Sequence, residues 1–135
     1  ICSCFSWHLF TAALSISSCT AEWVNGNLFL AGSSASFKII LRDKYKNILN
    51  STLKNQNTTG FSMILYSIGS IQRMIPTNFS VTSGLGYELV HFVPYIVGNF
   101  KIWIGKDNIA ISNSTLKFSV VSGNIDCSIQ RNEIA

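Results

Sequence analysis

The feature that most constrains the fold is an alternation of apolar and polar residues with a period of two. Within residues 36–42, Phe37, Ile39 and Leu41 fall on one face of an extended strand, and Lys38 falls on the other. This pattern is typical of a strand with one buried face. Further strand candidates share this alternation or a strand-like composition: residues 23–30, 61–68, 72–75, 89–93, 100–104 and 116–120.

Turn-forming residues separate these strand candidates. Gly, Pro, Asn and Asp mark the connections at positions 25–26, 31–32, 43–47, 55–60, 84–86, 94–98 and 105–108. Hydrophobic residues make up 47% of the 135 residues and charged residues 12%, which suffices for one core and excludes a disordered chain. About seven short strands at this spacing predict an all-β fold, an immunoglobulin-like antiparallel β-sandwich.

The amino-terminal region has the character of a targeting segment. Residues 5–16 are apolar and the first charged residue is Glu22, but the apolar stretch is shorter than the roughly 20 residues of a membrane-spanning helix. We assign residues 1–21 to a truncated signal peptide, residues 22–123 to the domain, and residues 124–135 to a linker or the start of a following repeat. Because the chain begins with Ile1 and lacks a basic leader, a membrane anchor or an apolar piece of the domain remain alternatives.

Four Asn-x-Ser/Thr triplets favour the secretory pathway, where such triplets accept glycans. They begin at Asn50, Asn57, Asn78 and Asn113, and we expect at least one to be unoccupied. Together with the leader, they predict a location on the extracellular face of the plasma membrane.

The cysteines fit the same oxidising compartment. Cys2 and Cys4 would leave with the leader, whereas Cys127, and Cys19 if cleavage precedes it, stay and flank the domain. They are candidates for a disulfide with each other or with a neighbouring domain, because spacing alone does not fix connectivity. With no C-x-x-C motif and two widely separated histidines, we expect no metal site.

The charged residues predict neither catalysis nor nucleic-acid binding. The net charge is +4, but the basic residues are scattered singly and never form a run of three. The acidic residues are also dispersed, and His91 falls on the outward phase of its strand candidate. Because no nucleophile, base and orienting group converge in the sequence, we expect no enzyme activity and no cofactor.

Several motifs of the chain resemble the filamin-type immunoglobulin repeat. The resemblance covers residues 22–123 and departs from the family in a long polar loop at 44–60 and in the absence of a proline before Leu116. It is carried by Ala31, Gly32, Phe37, Ile39, Arg42 and Asp43, by Gly86, Val90, Phe92, Pro94, Gly98, Phe100, Ile102 and Ile104, and by Ser114, Leu116, Phe118 and Val120. We expect the glycines and Pro94 to shape turns, and Phe37, Phe92, Phe100 and Phe118 to be core residues.

With its leader and glycan triplets, the chain is similar to plant gamete-expressed filamin-repeat surface proteins. That resemblance implies an adhesion module that attaches sperm to egg or central cell, with a protein partner on the opposing cell and neighbouring repeats in the same chain. It implies a membrane connection only through a segment outside this chain. The alternatives are a structural spacer, or a scaffold that binds peptides by strand addition.

The filamin resemblance also implies where strand addition would occur. The peptide would lie beside residues 61–68 and 72–75, and a glycan on Asn78 would then lie close to the groove. Trp103, on the polar phase of its strand, is a second candidate contact or an inter-repeat packing residue; the alternative is a side chain partly covered by neighbouring loops.

Overall fold

The structure, a computed structural model, describes residues 13–49, 60–69 and 71–122. These residues form a short 3₁₀ helix at Ile16–Ser18 and nine strands. The strands are β1 Thr20–Trp23, β2 Leu28–Leu30, β3 Ala35–Ile40, β4 Ser62–Ser67, β5 Met74–Ile75, β6 Ser80–Ser83, β7 Tyr87–Phe92, β8 Gly98–Lys106 and β9 Ile109–Val121.

The strands form the two facing sheets of a sandwich, as the sequence predicts. One sheet has the order β1-β3-β7-β6, and the other has the order β2-β9-β8-β4-β5. Two details correct the prediction of about seven antiparallel strands: the described residues contain nine strands, and β2 pairs with β9 in parallel. The remaining strand pairs are antiparallel.

The parallel pair arises because residues 23–30, predicted as one strand, form parts of two strands in different sheets. β1 pairs with β3, and after the turn around Gly26 the chain runs on in the same direction and pairs with β9. Gly26 has φ +92°, a left-handed conformation that costs glycine little and other residues more. The turn residues thus move the chain from one sheet to the other without reversing it.

Strand β6 is absent from the sequence prediction, because its four residues are all exposed and carry no apolar alternation. β6 forms through backbone pairing with β7. It is the last strand of its sheet, so its other edge has no partner strand among the described residues.

The core lies between the sheets and contains the predicted aromatic residues. Phe37, Phe92, Phe100 and Phe118 are all buried, which confirms their assignment. Trp23 joins them at the end of β1, with its ring centroid 5.6 Å from that of Phe37 and 5.4 Å from that of Phe118. Burial of large side chains such as these supplies most of the stability of a sandwich.

The fold begins before residue 22, the predicted start of the domain. Leu14 and Ile16 pack against the core, and the Ser15 amide donates to the Arg42 carbonyl oxygen at 2.9 Å. Residues 13–21, assigned from the sequence to a leader, therefore form part of the sandwich, because their apolar side chains have core partners. Residues 1–12 and 123–135 lie outside the described residues, and with them most of the predicted leader and the predicted linker.

Candidate functional site

The side of the sandwich between β4–β5 and β6 is open. β5 ends one sheet and β6 ends the other, and residues 76–79 connect them. β5 pairs with β4 only at Leu65 and Tyr66, so no strand among the described residues covers the outer edge of positions 62–64. Unpaired strand edges of this kind readily accept another strand.

A hollow on this open side, which we call the upper hollow, has a volume of about 480 Å³. Its floor is apolar and consists of core side chains, including Leu65, Phe92, Phe100 and Phe118. Its rim is mostly polar and includes Thr77, Asn78, Ser80 and His91. An apolar floor with a polar rim is the usual build of a ligand or peptide site.

The loop after β7 adds exposed apolar side chains to the upper hollow. Tyr95 is 74% exposed and Ile96 is also exposed, and both line the hollow. Val97 follows them and is exposed as well. Exposed apolar groups that adjoin an apolar hollow are typical of an interaction surface.

Another, smaller hollow on this side, which we call the lower hollow, has a volume of about 210 Å³ and is lined by a buried acid. It is lined by Ile39, Gly60, Phe61, Met63, Val81, Ser83 and Glu88. The Ser83 hydroxyl donates to Glu88 Oε2 at 3.0 Å. Burial raises the pKa of the Glu88 carboxyl, and the Ser83 hydrogen bond offsets part of that effect.

Glu88 was not predicted as a site residue, although the sequence contains a signal for it. Glu88 has the same strand phase as Val90 and Phe92, which are both buried. A charged residue on the buried phase of a strand is uncommon and points to a special environment. His91, by contrast, falls on the opposite phase, and its Nδ1 lies 2.7 Å from the Ser36 hydroxyl oxygen.

The structure places the two described glycan triplets very differently. The Asn78 side chain is exposed on the connection between β5 and β6 and lines the upper hollow together with Leu65 and Ile75. Asn113 lies within β9 and uses its side-chain amide to pair with the backbone of Ala21. Asn50 and Asn57 lie outside the described residues.

Of the two disulfide candidates, only Cys19 belongs to the described residues. Its side chain is fully buried, and its thiol donates to the Ser15 carbonyl oxygen at 3.3 Å. Burial raises the pKa of the Cys19 thiol despite opposing effects of Arg42, so the reactive thiolate is disfavoured. Cys127 lies outside the described residues, so pairing between the two cysteines stays a prediction.

Trp103, the other candidate contact, lines neither hollow. It is half-buried on β8, opposite Ile64 of β4 and Thr115 of β9. A Cβ atom at Gly105 would lie 2.5 Å from the Trp103 ring, so part of the ring is covered by its own strand.

Two properties of residues 13–49, 60–69 and 71–122 concern metal binding and membrane spanning. No three His, Cys, Asp or Glu side chains in these ranges come together as metal ligands. None of the helices formed there is long and apolar enough to span a membrane.

The sheet order, the buried aromatic core and the open side define an immunoglobulin-like module of the filamin type. The chain belongs to the family described as the GEX2 N-terminal Ig-like domain, whose model matches residues 17–120. The match begins within the segment that precedes Glu22, in agreement with the burial of Cys19 and Ala21. A search of curated proteins by sequence gave no significant match.

Comparison with solved structures supports the same fold. The filamin domain of Lin-41 superposes with a TM-score of 0.61 at 12% sequence identity, covering 83% of this chain and 100% of that domain. Domains 4 and 5 of the S-layer protein SbsC match with a TM-score of 0.46 at 18% identity, covering 82% of this chain and 53% of theirs. The first match confirms the filamin-type sandwich, and the second is too loose to add to it.

Proposed function

We propose that this chain is a non-catalytic, extracellular adhesion module that attaches one gamete to another, as in the attachment of sperm to egg or central cell in plants. Membership of the GEX2 N-terminal Ig-like family supports a surface-protein module. The observation that carries the adhesive role is the upper hollow, where Tyr95 and Ile96 expose apolar surface beside an apolar floor.

The partner in this proposal is a protein on the opposing cell that docks on the open side. The outer edge of positions 62–64 has no partner strand among the described residues, and Leu65 of the same strand lines the upper hollow, which offers an apolar pocket. An added strand would gain main-chain hydrogen bonds from the edge and specificity from the pockets.

Secretion would place the module outside the cell, with the remainder of its protein providing any membrane connection. A leader removed from this fold has to end before Leu14, because residues 14–19 contribute to the core and to β1 packing. Asn78 would then carry a glycan at the rim of the upper hollow, and we expect that glycan to hinder docking.

Contact with neighbouring repeats would use a different edge. On β2, Leu28 is 64% exposed and Leu30 is 50% exposed, and Leu30 lies beside the exposed Val121 of β9. This apolar strip lies at the opposite end of its sheet from β5. We propose that it packs against a following repeat, so that a spacer role and an adhesive role use separate surfaces.

The test is an attachment assay with the whole chain secreted from a glycosylating host and coated on beads. We expect beads to bind gametes of the opposite sex, and Tyr95→Ser with Ile96→Ser to reduce binding severalfold. Leu85→Ser is the matched control, because Leu85 is 69% exposed but does not line either hollow. Equal loss with the control variant, or no attachment by the wild-type chain, contradicts the proposal.

The Asn78 glycan is tested in the same assay. Because the sugar would stand at the rim of the upper hollow, Asn78→Gln is expected to attach more strongly than wild type when both come from a glycosylating host. Chains from a non-glycosylating host should attach equally. Equal attachment of the two glycosylating-host proteins, with Asn78 shown to be occupied in the wild type, contradicts a hindering role for the sugar.

A further inference from the structure

Glu88 is a charged residue in a position that an apolar residue would ordinarily fill. It is only 2% exposed, and its strand neighbours are Ile39 of β3 and Ser83 of β6. Its side chain lies in the lower hollow with apolar groups of both sheets, including Phe61 and Met63.

The Glu88 carboxyl has fewer hydrogen bonds than it can accept. Ser83 donates to Oε2, and no other group of the described residues donates to either oxygen. Among the described residues, the other six that line the lower hollow are all uncharged. A carboxylate accepts several hydrogen bonds, and its burial without a cation is costly. The cost explains why burial raises the pKa of Glu88.

The lower hollow is open enough to receive a side chain from outside. Gly60, Val81 and Ser83 line it and are all exposed. Its volume of about 210 Å³ equals the liquid volume of about seven waters, at about 30 Å³ each. The Ile39, Phe61 and Met63 side chains provide apolar walls, and the carboxyl provides an acceptor with unused capacity.

This arrangement matches the chemistry of a lysine or arginine side chain. Such side chains bury their methylene stems along apolar surface and direct the charged head to a polar group. The cationic head would supply the hydrogen bonds and the positive charge that the Glu88 carboxyl lacks.

We propose that the lower hollow is a specificity pocket for one lysine or arginine side chain of the protein partner. The pocket rests on the proposed function, because the partner is taken to dock on the open side. Met63 belongs both to the unpaired edge at positions 62–64 and to the hollow wall. A partner strand at that edge would therefore be placed to direct a side chain toward Glu88.

The test is a titration of the whole chain with a capped, extended Val/Thr peptide. Each position of the peptide is substituted in turn, once with lysine and once with norleucine, which is an uncharged analogue of similar length. At the best position, we expect the lysine peptide to bind wild type about tenfold or more tightly than the norleucine peptide. Glu88→Gln is expected to abolish this preference, while keeping an acceptor for Ser83.

Glu22→Gln is the matched control, because it removes the same charge from an exposed residue of β1, the edge strand opposite β6 in the sheet that contains Glu88. We expect it to keep the lysine preference. Loss of the preference in both variants, persistence in both, or no lysine preference in wild type each overturns the pocket. Denaturant unfolding of both variants verifies that they are folded.

The attachment assay separates this proposal from the proposed function. If wild-type beads attach to gametes and Glu88→Gln beads attach equally well, the pocket is wrong and the adhesive function stands. If wild-type beads do not attach, the adhesive function is wrong, whatever the peptide titration gives.

Discussion

The side-chain amide of Asn113 pairs with both backbone polar groups of Ala21. The Ala21 amide donates to Asn113 Oδ1 at 2.8 Å, and Asn113 Nδ2 donates to the Ala21 carbonyl oxygen at 2.8 Å. Asn113 belongs to β9 and Ala21 to β1, so this pairing joins the edge strand of one sheet to a part of β9 that β2, which pairs only with residues 119–121, does not cover. The side chain thus satisfies backbone groups of β1 that have no strand partner on that side.

The pairing predicts that Asn113 carries no glycan in the folded protein. A sugar would replace a hydrogen on the same Nδ2 atom, beside a carbonyl oxygen only 2.8 Å away. Asn113→Ala is expected to lower the free energy of unfolding by about 1–2 kcal/mol, because it removes two hydrogen bonds. Glycopeptide mass spectrometry and denaturant unfolding measure the two effects.

Thr115→Ala is the control for Asn113, because it destroys the same glycan triplet and leaves the amide in place. Because the Thr115 side chain is exposed, we expect Thr115→Ala to change the free energy of unfolding by about 0.5 kcal/mol or less. A glycan found on Asn113, or equal destabilisation by the two variants, contradicts the structural role of the amide.

Substitution of Gly86 by alanine is predicted to destabilise the fold more than the same substitution of Gly32, although both glycines have positive φ. Gly86 has φ +87°, and a Cβ atom there would lie 2.8 Å from Ile48 Cγ2 and 3.0 Å from the Leu49 carbonyl oxygen. Gly32 has φ +89° and nothing within 4 Å of its Cβ position. Gly86→Ala should cost about 1–3 kcal/mol of stability and Gly32→Ala about 1 kcal/mol. Equal losses in thermal or denaturant unfolding would show that crowding by residues 48–49 is unimportant.

Asp43 is predicted to make the fold sensitive to acid. Burial raises the pKa of this carboxyl, but hydrogen bonds from the Asn47 and Tyr45 amides and from the Asn47 side chain outweigh burial and lower it. The stabilisation is therefore present above the unfolded-state pKa of about 3.9 and is lost as the pH falls through the lower folded-state value.

Asp43→Asn should remove this part of the acid dependence, because an amide does not titrate in that range. Unfolding by urea at a series of acidic pH values measures it. Asp107→Asn, which removes an exposed turn carboxyl, is expected to keep the wild-type profile. An unchanged acid profile for Asp43→Asn contradicts the prediction.

Glu88 is predicted to have the opposite pH dependence to Asp43, because its contribution to stability is lost as the pH rises. Its folded-state pKa is raised by burial, so its favourable contribution is complete below the unfolded-state pKa of about 4.3 and is lost as the pH rises through the folded-state value. Glu88→Gln should match wild type in acid and exceed it in stability at alkaline pH. Urea unfolding at a series of pH values measures the stability of the variant relative to wild type. A Glu88→Gln variant that is less stable than wild type at alkaline pH would contradict the prediction.

The sequence predicted the core better than it predicted the edges. Phe37, Phe92, Phe100 and Phe118 repeat at strand spacing and are buried as expected, because alternation directly reports one buried face. Strand β6 was missed, since its pairing with β7 depends on backbone groups rather than on side-chain polarity. The division of residues 23–30 between two strands was also not predicted, although Gly26 lies between the end of β1 and the start of β2.

The candidate site was predictable only in outline. Positions 61–68 and 72–75 were expected to border a groove near Asn78, and Leu65, Ile75 and Asn78 do line one hollow. Glu88 was not singled out, because its partner Ser83 and its wall residue Met63 come from different strands. Local patterning does not reveal which strands meet across an open side.

The amino-acid sequence by itself determined that this chain forms strands, where their apolar faces lie and which residues turn the chain, because period-two alternation and turn chemistry are local properties. Only the tertiary structure decided that β2 runs parallel to β9, that Asn113 binds the backbone of Ala21, and that Glu88 is buried with one hydrogen-bond partner among the described residues. These features join residues distant in sequence, and their energies depend on which groups the two sheets bring together and which they remove from water.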